Sequence, residues 1–108
     1  MPRQTNDQGF DISMSFEFTN KIIFWRGPSP FYFVPIPEEE SAAIKDISTM
    51  VTYGWGVIPV NVRIGETTFK TSLFPKDGLY LVPVKASVRK AENIEDDEEV
   101  TVYLDIGR

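Results

Sequence analysis

From Met14 onward the chain alternates. Phe16, Phe18, Ile22 and Phe24 fall on one face of an extended segment, and Glu17, Thr19 and Lys21 fall on the other. A period of two marks a strand with one buried face. Arg26-Gly27-Pro28-Ser29-Pro30 then breaks the pattern with turn residues. Phe31 to Ile36 is an almost continuous apolar run, which predicts a short strand buried on both faces. Pro37 and the carboxylates Glu38, Glu39 and Glu40 suit a helix start, where a fixed φ and the positive dipole end both favour them. Ala43, Ile44, Ile47, Met50 and Val51 continue at helical spacing, so one side of that helix can pack on a sheet. Tyr53-Gly54-Trp55-Gly56 ends the helix and returns the chain.

The second half follows the same plan. Ile58, Val60, Val62 and Ile64 alternate, with Pro59 pointing to a strand start or an edge. Gly65-Glu66 makes a hairpin turn in which the glycine can take φ > 0, and Thr67 to Phe74 returns. Pro75-Lys76-Asp77-Gly78 turns again before the dense apolar strand Leu79 to Val84. Lys85 to Glu92 reads as a brief helix with Val84, Val88 and Ala91 inward and Asn93 near its end. Val100, Val102, Leu104 and Ile106 close the chain as an alternating strand.

Two pieces of sequence recur. Tyr32-Phe33-Val34-Pro35-Ile36 returns as Tyr80-Leu81-Val82-Pro83-Val84, and Val60-Asn61-Val62-Arg63-Ile64-Gly65 parallels Val102-Tyr103-Leu104-Asp105-Ile106-Gly107. The order of elements repeats with them, so the chain reads β-β-α-β twice. The expected architecture is mainly β. It is a closed double-split β-barrel of about six strands, built from the duplicated unit with two short helices and few free edges. Residues 1–13 are polar and aperiodic and read as a flexible tail, leaving 14–108 as a single barrel domain.

Composition narrows the chemistry. The 108 residues include no cysteine, which removes disulfides, thiolate zinc sites and a cysteine nucleophile. They include no histidine, the usual general base near neutral pH and the commonest imidazole metal ligand. The net charge of −5 is local in origin: Glu92, Glu95, Asp96, Asp97, Glu98 and Glu99 are among the 16 acidic residues, and the remaining body is nearly neutral. That balance is unlike the basic footprint of a phosphate-backbone binder. Neither a secretory leader nor an apolar run of membrane-spanning length is apparent, so a cytoplasmic location without membrane contact is the expectation.

Trp25-Arg26-Gly27, Gly54-Trp55-Gly56, Thr71-Ser72-Leu73-Phe74-Pro75 and Tyr80-Leu81-Val82-Pro83-Val84-Lys85-Ala86 appear in that order. Over about Phe16 to Ile106 the chain resembles a bacterial domain family of unknown function, often joined to a YdeI/OmpD-associated (bacteriocin-protection) domain. The resemblance implies a double-split β-barrel similar in shape to the AbrB and MazE DNA-binding domains, in which two chains each supply one β-β-α-β unit. It implies no activity. In one respect the chain departs from the family, which favours Gly-Asp in the turn before its last strand where this sequence has Asp97-Glu98. Aspartate tolerates the left-handed conformation better than most residues, so the turn is expected to form at some cost in strain.

The leading candidate site is an aromatic and basic patch of Trp25, Arg26, Tyr32, Trp55, Lys85 and Arg89. Trp25 lies on the strand face opposite Phe24, Gly54 and Gly56 free the backbone around Trp55, and Lys85 and Arg89 stand at i and i+4. Aromatic walls with a few cations suit a small anionic ligand or a protein partner, and the competing reading is a pair of tryptophans closing the barrel ends. The expected function is therefore a non-enzymatic, monomeric binding module that needs no cofactor and no metal. The alternative by fold analogy is a DNA-associated regulator of AbrB or MazE type. Against it, a pseudo-twofold reader of duplex DNA would carry matched cations, whereas Arg63 corresponds to Asp105. An enzyme is the third reading. Ser72 has no histidine to activate it and no Gly-x-Ser-x-Gly elbow, and Lys76 or Lys85 would have to serve as base. The acidic run Glu95 to Glu99 lacks the spacing and central glycine of a calcium loop and reads as a solvated turn.

Overall fold

The computed structural model describes residues 14–26, 31–51 and 58–106. Its elements run β1 (Met14–Lys21), β2 (Ile23–Trp25), β3 (Phe31–Pro35), α1 (Glu38–Val51), β4 (Ile58–Ile64), β5 (Thr67–Lys76), β6 (Leu79–Val84), α2 (Ala86–Ala91) and β7 (Glu99–Ile106). The N-terminal tail and the Tyr53-Gly54-Trp55-Gly56 return lie outside the described residues.

All seven strands join one antiparallel sheet in the order β1-β7-β4-β5-β6-β3-β2. Among the described residues the sheet curls into an open half-barrel where a closed barrel was expected from sequence, and the about six expected strands become seven because the first one divides in two. The first extended segment divides at Ile22. That residue is fully buried and its N–H still donates to Glu98 O on the β7 side, while Ile23 onward turns away to pair with β3. One extended segment is thereby broken into the two terminal strands of the sheet. No ladder joins them among the described residues. The gap beside β3 is bridged by a side chain: Asn20 Nδ2 donates to Pro35 O and Asn20 Oδ1 accepts from Lys21 N.

β5 makes the corresponding switch without a break. It pairs with β4 through Leu73 and with β6 from Phe74 onward, and Leu73, like Ile22, is fully buried at the change of partner. Pro59 sits where a residue without an N–H is tolerated. It faces Ser72 on one side, and among the described residues pairing with β7 begins at Val60.

The alternation read from sequence decides the core. Ile58, Val60, Val62 and Ile64 on β4, and Val100, Val102, Leu104 and Ile106 on β7, are all buried, with more exposed residues between them. Phe18, Ile22, Val34, Ile36, Leu73, Tyr80, Val82 and Val84 complete the sheet's share, and Ile44 of α1 and Val88 of α2 cover it. Each such aliphatic side chain contributes roughly 1.5–3 kcal/mol by leaving water. Phe33 and Val34 are both buried, as a strand covered on both faces requires. Ala91, expected inward, is exposed.

The turns follow their residues. Asp77 and Gly78 hold φ of 55° and 82° between β5 and β6, the positive pair that an Asp-Gly hairpin turn adopts. α2 ends on Asn93 at φ 56°, with Ile94 N donating to Arg89 O and Asn93 N to Lys90 O, a Schellman cap with asparagine in the glycine position. Asp97 takes φ 63° in the turn before β7. Gly65 takes φ 60°, and the Glu92 carboxylate at the end of α2 packs against it, accepting from Glu66 N (3.2 Å) and from the Thr67 hydroxyl.

One buried polar side chain ties α1 to the sheet. Pro37 O accepts the first helical bond, from Ser41 N, and Ser41 is 2% exposed. Its Oγ donates to Ile36 O (2.9 Å) and accepts from Tyr80 N (3.1 Å). Ile36 N also donates directly to Tyr80 O, so the serine hydroxyl stands in for the second bond of that pair.

Candidate functional site

The described members of the candidate patch lie at one end of the sheet, where β2 and β3 meet the last residue of β6 and the start of α2. β2 is three residues long and carries the two large apolar side chains most exposed in the described structure, Phe24 (42%) and Trp25 (37%). Consecutive strand residues point to opposite faces, so this strand places them back to back. Phe24 pairs across the ladder with Tyr32 and their rings stand 4.9 Å apart, tilted by 51°. Sequence alternation had assigned Phe24 to the core face. The face is right and the burial is not, because β2 runs past the end of the core.

Cations are stacked on these rings. The Arg89 guanidinium lies 3.8 Å from the centre of the Tyr32 ring, and Arg26 lies 5.6 Å from that of Phe24. On the other face Lys76 Nζ stands 5.5 Å from the Trp25 ring. Phe24, Lys76 and Asp96 are the contributors that sequence reasoning missed. Phe24 was legible only as core, and the other two reach the site from the β5–β6 hairpin and the turn before β7. Tyr32 donates a hydrogen bond to the Asp96 carboxylate. That bond, then burial, then the carboxylate's charge raise the phenol pKa above its ordinary value, against the lowering effect of Arg89.

The remaining cations divide. Arg89 Nε donates to Val84 O at 3.4 Å, so this side chain also clasps α2 to the end of β6. Lys85 is not on the helix. It is the extended N-cap residue (φ −70°, ψ 163°), and the helix face that it was expected to share with Arg89 does not form. Instead it is exposed and lines a shallow cavity of about 330 Å³ with Tyr32, Phe74, Pro83 and Val84. The structure thus brings Arg26, Tyr32 and Arg89 together with Phe24, sets Lys85 beside Tyr32, and puts Trp25 on the reverse face. Trp55 lies outside the described residues.

The other candidates are placed as follows. Ser72 is half-buried opposite Pro59 in the β4–β5 ladder, and Lys76 Nζ is 3.7 Å from Asp77 Oδ2. Glu98 Oε1 accepts from Glu95 N, folding the acidic turn on itself. Among the described residues no cluster of acidic side chains is arranged to hold a metal ion, and no helix is long and apolar enough to cross a membrane.

A family model described as "Domain of unknown function (DUF1905)" matches residues 18–104, from the middle of β1 to near the end of β7. The chain belongs to this family. The match takes in every strand of the sheet, both helices and all the candidate residues, and what the family's description carries is a shared domain without an assigned activity. No curated protein matches the chain.

Proposed function

We propose that this DUF1905 domain is a non-enzymatic binding module whose contact surface is the aromatic and basic end of the sheet. The observation that carries the reading is the coincidence of exposed Phe24 with Arg26, Lys85 and Arg89 beside a concave, largely apolar cavity, with Trp25 and Lys76 on the reverse face. Exposed aromatics adjoining a cavity suit recognition, because aromatic side chains bury much area at little cost in conformational freedom. Cations around them favour an anionic ligand or an acidic segment of a protein partner.

Thermal-shift measurements with carboxylates, phosphates and acidic peptides test this. A compound that raises the melting temperature should lose its effect on the double variant Phe24→Ala, Lys85→Ala, both exposed positions that leave the core intact. Shifts that survive both changes place the contact surface elsewhere.

The reading includes a duplicated unit acting as a cytoplasmic monomer. The duplication is supported by the way the recurring segments pair with one another, Val34 against Val82 in β3–β6 and Val62 against Leu104 in β4–β7.

A further inference from the structure

A separate groove of about 470 Å³ runs over the outer face of β7, β4 and β5, lined by Asn61, Arg63, Thr68, Lys70, Tyr103 and Asp105 among others. It lies between two rows of cross-strand neighbours. One row is Asp105, Asn61 and Lys70, and the next is Tyr103, Arg63 and Thr68.

Arg63 is held in place before any ligand arrives. Its guanidinium stacks 4.0 Å from the centre of the Tyr103 ring, and Nη1 donates to Gly65 O at 2.7 Å. The turn at Gly65 is itself held by the Glu92 carboxylate, which accepts from Glu66 N and the Thr67 hydroxyl. A guanidinium has five donors, so most of the fork remains for a ligand. Lys70 stands on the neighbouring strand, diagonal to Arg63, and has no ion-pair partner among the described residues.

The nearby carboxylates are accounted for. Asp105 Oδ1 accepts from the Ser15 hydroxyl at 2.6 Å, which holds it toward β1. Glu17 lies opposite Tyr103, on the side of that ring away from β4. The β4–β5 side of the groove therefore presents two cations with the neutral Asn61 and Thr68 beside them. The β7 side offers a carboxylate with acceptor capacity left over.

We infer that this groove binds a phosphate monoester of a small polyol or sugar. The dianionic phosphate lies between Arg63 and Lys70, where a planar fork and a point charge recognise it together. Asn61 and Asp105 meet the hydroxyls of the organic part, for which the cavity leaves room beyond a bare phosphate. The site arises because one position of the recurring segment is basic in the first copy (Arg63) and acidic in the second (Asp105), and the β4–β7 pairing sets them diagonally across neighbouring rows of one face.

The test is titration of the intact chain with glucose 6-phosphate, followed by amide ¹H–¹⁵N spectra, with glucose and inorganic phosphate as separate arms. Amides of Asn61, Arg63, Lys70 and Tyr103 should shift saturably with glucose 6-phosphate, more weakly with phosphate and not with glucose. Lys70→Gln, which removes no hydrogen bond or ion pair among the described residues, should weaken binding about tenfold, and Arg63→Gln at least as much. Should Arg63→Gln fail to fold, Lys70→Gln alone decides. The inference is overturned by the absence of saturable shifts up to about 10 mM ligand, a regime that still detects millimolar affinity. Equal affinity in Lys70→Gln overturns it as well. Shifts confined to Phe24, Arg26 and Lys85 also overturn it, while supporting the surface proposed above.

Discussion

Removing the Ser41 hydroxyl should be among the most damaging single-atom changes available to this fold. Ser41 is 2% exposed, and its Oγ satisfies two backbone groups of the β3–β6 pair, Ile36 O at 2.9 Å and Tyr80 N at 3.1 Å. In Ser41→Ala the methyl group still occupies the space between them, so the two groups cannot close into a direct bond without moving α1. Leaving one buried backbone group unsatisfied costs about 1–3 kcal/mol, so with partial relaxation the pair should cost about 2–4 kcal/mol. For a domain of this size each kcal/mol corresponds to roughly 4–8 °C in melting temperature. Urea unfolding followed by far-ultraviolet circular dichroism should show a lower midpoint with an unchanged m value. Hydrogen exchange should show the Tyr80 amide losing more protection than its neighbours on β6. A loss of stability below about 0.5 kcal/mol at constant m, the scale of an ordinary surface change, would refute the assignment of this hydroxyl as a structural relay.

Gly65→Ala should cost about 2–3 kcal/mol in the same assay, because the left-handed φ is strained for alanine and a Cβ there collides with the Glu92 carboxylate that holds the turn. At position 97, where φ is 63°, Asp97→Val should lose about 1–2 kcal/mol while Asp97→Gly should be neutral or stabilising. Equal effects of the two would show that backbone strain is not the determinant. The Tyr32 phenol is raised in the folded state chiefly by its hydrogen bond to Asp96, so the stability it supplies is fully present below the ordinary tyrosine pKa and is lost as pH rises through the higher folded value. Tyrosine ¹³Cζ titration should place Tyr32 above that ordinary value, and Asp96→Ala should bring it back down. An unchanged midpoint in Asp96→Ala would exclude the carboxylate as the cause.

Much of this fold could be read from local pattern. A strand with one buried face must alternate, so β4 and β7 and their eight core residues were legible directly. Turn residues were legible for the same kind of reason: Gly65, Asp77-Gly78, Asn93 and Asp97 each occupy a positive φ that few residues adopt without strain. The recurrence of Tyr-x-Val-Pro pointed to two segments that turn out to be neighbouring strands.

What the pattern could not convey is which ladder each strand joins and where long side chains come to rest. Periodicity ran through Ile22 without a break, because a change of hydrogen-bonding partner leaves the side-chain alternation untouched, yet that change divides one extended segment between the two ends of the sheet. Ser41 looked like any polar residue of a first helical turn until β6 was brought against it. Arg89 and Lys85, equivalent on a helical wheel, separate because the helix starts one residue after Lys85 and the Arg89 guanidinium finds the Tyr32 ring on a strand far away in sequence. Local preference decides the face a residue shows. Contacts between segments distant in the chain decide what that face meets, and the two candidate sites of this domain are made of such contacts.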